Sequence, residues 1–318
     1  MTSRSCWIIT EGHAGMEAQC RGLADALGVI PVIKRVRVRW LWDVLPKRLW
    51  FAPLRALRAD SDRLDPPWPD VVISCGSVGA PLAAAIRTAS GGRTRAVHIQ
   101  DPKMDRRRFD LIIAPRHDGL SGANVISSKA AIHPVTPQKL EEGARRWGPV
   151  LAPLPRPLIA VLIGGPNGRH RLTPDIVTRL ADNLVSLARR TGGALAVTPS
   201  RRTGAENEAV LRERLKEVPA FVWDGKGDNP YFGLLALADA IVVTEDSVSM
   251  TSEAVATGKP VYVAALAGES RRLRRFHEML MADGITRPFD GSYASWTYTP
   301  PDDTARAAAE IRRRFGWA

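Results

Sequence analysis

The sequence predicts an α/β protein built as two halves, each around a mostly parallel sheet. Short, β-branched apolar runs alternate with amphipathic segments, the pattern of strands connected by helices. Glycine-rich or hydroxyl-rich turns directly follow several of those runs. The proline-rich segment WGPVLAPLPRP, 147–157, has no apolar period and reads as a hinge dividing 318 residues into halves large enough for separate cores.

In the first half, CWIITEGHAG is a strand with a glycine turn, and MEAQCRGLADALG is an amphipathic helix stopped at Gly28. VIPVIKRVRV follows as a strand, PDVVISCGSVGAPLAAAIRTA as strand, turn and helix, and TRAVHIQDP and DLIIAP as short strands. In the second half, LIAVLIGGPNGRHR runs from a strand into a glycine turn, and TPDIVTRLADNLVSLARRTGG is a helix. ALAVTPSRRT and AFVWDG read as strands around the helix ENEAVLRERLKEV. NPYFGLLALAD is a short helix leading into ADAIVVT, whose composition suits a buried parallel strand. MTSEAVAT is then a helix closed by Gly258 and Pro260, PVYVAAL the next strand, and PPDDTARAAAEIRRRF a final helix.

Composition narrows the function. With 45% apolar and 25% charged residues the chain reads as a soluble globular protein. No apolar run approaches the ~20 residues of a membrane span, and MTSRSCWIIT lacks the apolar core of a signal peptide. Cys6, Cys20 and Cys75 are scattered, so a reduced cytosolic protein without structural zinc is expected. The net charge of +12 is concentrated in the first 150 residues, which hold 23 bases against 14 acids. Within 34–58, eight bases face the single Asp43, and Trp40, Trp42, Trp50 and Phe51 are interleaved with them. That mixture suits an anionic membrane surface; packed helices with a solvated basic face would give the same pattern. No nucleic-acid motif accompanies it.

Several chemistries are excluded. GGPNGRHR lacks the Lys-Ser/Thr of a phosphate-binding P-loop, and no GxGxxG or GxSxG follows a strand. Tyr231, Tyr262 and Tyr293 have no lysine four residues on, against a short-chain dehydrogenase, and Asp60-Ser-Asp62 reads as a solvated loop.

What remains is a convergence of polar turns beyond the carboxyl ends of four strands, where open parallel sheets bind ligands. The turns are Gly164–Gly168, Pro199–Thr203, Gly227–Pro230 and Asp246–Glu253. Gly164, Gly165 and Asn167 can bring backbone to a phosphate. Ser200 with Arg201 or Arg202 can pair with it. Ser247 or Ser249 can cap the helix whose positive end attracts it, alongside Met250 and Ser252. Glu253, about one turn in, can accept hydrogen bonds from a ribose diol, and Asn229 lies in the remaining turn. The set fits a nucleoside diphosphate. In the first half His13 ends a strand and can take a proton from an acceptor hydroxyl; Asp101 and the pair His117-Asp118 also end strands.

The combination GGPNGRH, TPSRRT and GDNPYFGLLALADAIVVTEDSVSMTSEAVATGKPVYV resembles the plant mitochondrial-fission factor family and its bacterial relatives. TEGHAGMEAQCRGLADALG, PDVVISCGSVGAP and HIQDPKMDRRRFDLIIAPRHD extend the resemblance over nearly the whole chain. That family is similar to GT-B glycosyltransferases such as lipid A disaccharide synthase and the peptidoglycan N-acetylglucosaminyltransferase. The resemblance implies two Rossmann-like domains facing across a cleft, with the C-terminal helix returning toward the first. It implies donor contacts at Gly165, Arg201, Ser249 and Glu253, with no metal and no cofactor beyond the nucleotide-sugar donor substrate. The expected layout is 1–148 for the acceptor and membrane-facing domain, 149–287 for the nucleotide-sugar domain and 288–318 for the tail helix. The expected activity is transfer of a sugar, from a UDP-sugar, to a lipid-linked or envelope acceptor by a cytoplasmic protein peripheral on the inner membrane face. The plant members are described as adaptors, so a non-catalytic scaffold is the alternative.

Overall fold

The computed structural model describes residues 4–317, so the opening Met1–Ser3 of the segment read as entering the first strand, and Ala318, lie outside it. The chain forms two compact units. One runs up to Pro134 and takes back the chain from Asp302; the other is Val135–Pro301.

The first unit contains β1 (Cys6–Thr10), α1 (Ala14–Leu27), β2 (Pro31–Arg35), α2 (Trp40–Val44), β3 (Val71–Cys75), α3 (Gly79–Ala89), β4 (Arg95–Ile99), β5 (Leu111–Pro115) and β6 (Val125–Ser128). All six strands are parallel, in the order β2-β1-β3-β4-β5-β6. Alternation explains their near-continuous apolar sequences. In β3, Val71, Ile73 and Cys75 enter the core shared with α1, while Val72 enters the one shared with α3. Both faces are therefore covered. Gly28 ends α1 in the left-handed conformation, φ 72°. The C-terminal helix, Asp303–Phe315, belongs to this unit: Ala307, Ala308 and Ile311 join the α1 core, and the Asp303 carboxylate accepts from the backbone N–H groups of Lys129 and Ala130 at 3.0 and 2.7 Å.

The second unit contains α4 (Pro137–Leu151), β7 (Leu158–Ile163), β8 (His170–Arg171), α5 (Pro174–Thr191), β9 (Ala194–Pro199), α6 (Ala205–Leu215), β10 (Ala220–Val222), α7 (Tyr231–Leu237), β11 (Ala240–Thr244), α8 (Val248–Val255), β12 (Val261–Ala264), β13 (Ala267–Gly268), α9 (Arg271–Ala282) and β14 (Thr286–Pro288), after which α10 is the helix Asp303–Phe315. Its main sheet is parallel in the order β10-β9-β7-β11-β12-β14; β8 and β13 form a small antiparallel pair. Counted along the main sheet this is the 3-2-1-4-5-6 order of a dinucleotide-binding fold, and the strand order reverses between β7 and β11. Leu158, Ala160 and Leu162 face the core with α4, α7 and α9, and Ile159, Val161 and Ile163 face the one with α5 and α6.

The structure differs from the sequence reading at several elements, besides the short α2, β8, β13 and the edge strand β14 that it adds. Residues 137–151 form a helix, so the chain passes between the units before it rather than at the proline-rich 147–157. Thr136 starts that helix by accepting from Lys139 N at 3.2 Å, and Pro137 fills its first turn. Its position is fixed by close packing on α7, where a Cβ on Gly143 would collide with the Phe232–Gly233 backbone and one on Gly233 with Trp147. Leu140, Trp147 and Leu151 line its core face, but the glycines and Pro149 between them obscure that period in the sequence. The arginine-rich 271–282 is likewise helical, anchored by fully buried Phe276 and Leu280, and 125–128 is the edge strand β6.

A candidate nucleotide site at the strand reversal

Three turns of the second unit are tied together by one carboxylate. Asp246, whose side chain is wholly buried, accepts from Thr244 Oγ1 at 2.7 Å, Gly165 N at 3.1 Å and Arg202 Nη2 at 2.8 Å. Arg202 also donates Nη1 to the carbonyls of Gly165 and Pro166. The turns after β7, β9 and β11 are thereby locked to one another at the strand reversal. Both glycines are required by this packing, because a Cβ on Gly164 would strike the Asp246 carboxylate and one on Gly165 the Arg202 backbone. Ser200 Oγ donates to Gly164 O at 2.9 Å, with Thr203 Oγ1 on the same carbonyl. Asn167 shapes its own turn: Oδ1 accepts from Arg169 N and His170 N, and Nδ2 donates to Asp246 O at 3.3 Å.

Arg202 is thus a structural latch. Its neighbour Arg201 is exposed and has no hydrogen-bond or ion-pair partner among the described residues. Capping is resolved as well: Ser247 Oγ accepts from Met250 N at 3.2 Å at the N-terminus of α8. Ser249 is half-buried, Ser252 is fully buried, and Met250 packs against the core beneath α8. Asn229 lies at the surface, where its Oδ1 holds Tyr231 N.

Glu253, expected to accept from a ribose diol, is engaged inside the unit instead. It is 7% exposed, and the Tyr231 hydroxyl donates to its Oε2. Burial pushes its carboxyl up to about 7 despite that hydrogen bond, and burial together with the carboxylate raises the Tyr231 phenol well above its usual range. The sequence places Asp246 within the convergent turns without a role of its own, and it does not place Tyr231 in the site. The signal for Asp246 was present, as an acid two residues past a buried strand; Tyr231 meets Glu253 only through the packing of α7 beside α8.

In the first unit the strand ends carry His13, Asp101 and His117. His13 is exposed at the N-cap position of α1, with its side chain outside the cap. Burial would raise the Asp101 carboxyl, but hydrogen bonds from Lys103 N at 2.9 Å and Lys103 Nζ at 2.5 Å outweigh it and hold it below the usual range. A carboxylate stabilised in this way is a weak proton acceptor. Gln100 and Lys103 beside it both have positive φ, 83° and 55°, a left-handed geometry uncommon for such residues. The His117 side chain is buried, 3.6 Å from Asp118.

A family model described as mitochondrial fission ELM1 matches residues 14–315. The chain belongs to the mitochondrial fission ELM1 family. The mitochondrial fission protein ELM1 of Arabidopsis thaliana is 34% identical over 280 residues, covering 79% of this chain. The match spans 65% of the length of that relative. Among solved structures, the UDP-GlcNAc 2-epimerase of Methanocaldococcus jannaschii is similar over 99% of both chains with a TM-score of 0.59 at 12% identity. A structure described as the glycotransferase of kitacinnamycin is similar over 98% of this chain and 99% of its own, with a TM-score of 0.53 at 13% identity. These likenesses carry the fold: this ELM1-family chain has two α/β units resembling those of GT-B glycosyltransferases.

Proposed function

We propose that this ELM1-family chain is a GT-B-type glycosyltransferase that takes a sugar from a UDP-sugar to a lipid-linked or envelope acceptor at the inner face of a membrane. The observation that carries the reading is the placement of the polar turns at the strand reversal of a 3-2-1-4-5-6 sheet, where such folds bind nucleotides. Arg201 and the N-terminus of α8 hold the diphosphate, and Glu253 turns from Tyr231 to the ribose diol. The fold relatives named for UDP-GlcNAc and for glycosyl transfer support this choice of ligand. His13 takes the proton from the acceptor hydroxyl as its oxygen attacks the anomeric carbon and the nucleoside diphosphate leaves. Asp101, already satisfied by Lys103, is the weaker base.

Access to a lipid-linked acceptor is supplied by 34–58. Trp40 is 75% and Phe51 59% exposed, with Val44 and Leu49 also largely exposed, among Arg39, Lys47 and Arg48. Apolar side chains within a basic surface suit the headgroup region of an anionic leaflet. No helix among the described residues is long and apolar enough to cross a membrane.

The test is thermal and chemical denaturation with UDP and other nucleoside diphosphates, without added metal. At 100 times Kd the stabilisation is roughly 2.7 kcal/mol. Absence of a shift with every diphosphate at millimolar concentration removes the donor site. A second reading, a non-catalytic adaptor that retains the nucleotide site for regulation, is favoured by the internal pairing of Glu253 with Tyr231 and of Asp246 with Arg202. It gains from that negative result.

A further inference from the structure

A groove of about 900 Å³ lies between the turn 167–170 and the start of α9, lined by Asn167, Gly168, Arg169, His170 and residues 270–273. Three arginines, Arg169, Arg271 and Arg272, contribute to its walls. The guanidinium groups of Arg169 and Arg271 have no hydrogen-bond or ion-pair partner among the described residues, and Glu269, the nearest acid in sequence, pairs with Arg274. Ser270 caps α9 by accepting from Leu273 N at 3.4 Å, so the positive end of a 12-residue helix opens here.

The second observation is His170. It is 3% exposed, it lines the groove, and its Nδ1 is buried with no hydrogen-bond partner. Buried polar atoms are nearly always satisfied, so an orphan on the wall of a basic groove marks a place for a ligand. Its backbone is held there by its own turn, since Asn167 Oδ1 accepts from both Arg169 N and His170 N. The neighbouring charges leave the groove positive. Asp246 is engaged by Arg202, and the remaining close imidazole, His277, is kept neutral by burial and bonds the Glu245 carbonyl.

We propose that this groove is a second anion site of the ELM1-family chain, binding a phosphoryl group. Two unpaired guanidinium forks and a helix N-terminus present more donors than a single carboxylate can use, whereas a phosphate dianion accepts from all of them. The groove adjoins the donor site proposed above and shares Asn167 with it, while Arg201, Ser247 and Glu253 do not line it. The phosphoryl group comes either from the donor diphosphate extending along the Gly164–Asn167 turn or from a separate phosphorylated ligand, and competition distinguishes the two.

The experiment is titration of the full chain with inorganic pyrophosphate, followed by calorimetry and phosphorus NMR at constant ionic strength. Saturable binding to the parent is expected, weakened roughly tenfold or more in the Arg169→Ala/Arg271→Ala double variant, as loss of charge-assisted hydrogen bonds requires. Both positions are exposed, so the variant keeps its fold. Arg63→Ala, on the other unit and exposed beside Asp65, is the control and leaves binding unchanged. Saturating UDP that displaces pyrophosphate assigns the site to the donor; pyrophosphate that stays bound assigns it to a separate ligand. Glu253→Gln lowers UDP affinity without touching pyrophosphate, so loss of the donor reading and loss of this one are told apart. No pyrophosphate binding by the parent, or equal weakening by Arg63→Ala and the double variant, overturns the proposal.

Discussion

Arg202 and Asp246 form an ion pair of 2.8 Å in which the carboxylate side chain is wholly buried and the guanidinium is 45% exposed. The buried partner is the one the turns depend on, because it also holds Gly165 N and Thr244 Oγ1. Asp246→Ala strands both donors and the arginine, and is expected to destabilise the chain by about 3 kcal/mol. Arg201→Ala removes a side chain that holds nothing and stays within about 0.5 kcal/mol of the parent. If Arg201 holds a diphosphate, UDP affinity nonetheless falls. Urea titration of both variants, with and without UDP, separates the latch from the ligand contact.

The pH dependence of stability reports on Glu253. Its folded-state carboxyl is raised from 4.5 to about 7, so between those values the folded chain binds a proton that the unfolded chain has released. Stability is therefore highest below the lower value and is lost as pH rises through about 7, by about 3 kcal/mol in total. Glu253→Gln keeps an acceptor for the Tyr231 hydroxyl, removes this slope, and is expected to be more stable than the parent at pH near 8. Tyr231→Phe deletes the hydrogen bond that lowers the carboxyl and extends the slope to higher pH. Denaturation curves across this range decide both; a parental profile flat through the window contradicts the placement of Glu253.

Glu253→Gln also tests the donor site. Replacing a carboxylate that accepts from a ribose diol weakens UDP binding by roughly 1.5–3 kcal/mol. Calorimetry showing equal UDP affinity in parent and variant removes Glu253 from the nucleotide.

The tryptophans of the basic segment divide into two groups. Trp42 and Trp50 are 9% and 6% exposed and donate their indole N–H groups to the carbonyls of Phe51 and Leu45, whereas Trp40 is 75% exposed. Trp42→Ala and Trp50→Ala are expected to cost about 3–5 kcal/mol as core truncations. Trp40→Ala is expected to leave the melting temperature nearly unchanged and to reduce co-sedimentation with anionic vesicles, whereas Phe51→Ala also removes a ring contact with Trp42 at 5.2 Å and costs some stability. Sedimentation of the parent that ignores lipid charge and salt removes the membrane from the proposal.

Close approach of α4 and α7 gives a test of the unit division. Gly143→Ala places a methyl group against the Phe232 backbone, which cannot yield like a side chain, and is expected to cost about 1–3 kcal/mol. A neutral variant contradicts this packing.

Sequence alone determined the central strands and most of the helices between them, because a residue such as Ile73 or Val242 is apolar wherever a doubly covered parallel sheet needs it; the edge strands β6 and β14 lack that signal. It also placed the polar turns Gly164–Gly168, Pro199–Thr203 and Asp246–Glu253 beyond strand ends, since glycines and hydroxyls punctuate the chain there. It left Arg201 and Arg202, and Ser247 and Ser249, as equal alternatives. Neighbours in sequence share a local environment, and only the third dimension brought Asp246 to Arg202 and Met250 N to Ser247. The helix α4 was hidden for a related reason: Leu140, Trp147 and Leu151 form its apolar stripe, but Gly143, Gly148 and Pro149 between them read as a broken loop, and the glycines make sense only against a helix almost a hundred residues away. Glu253 makes the point at the level of charge. A carboxylate near a helix start reads as a solvated acid, and its burial beside Tyr231 was decided by the packing of α7 against the sheet, because burial belongs to the assembled surface and not to the residue.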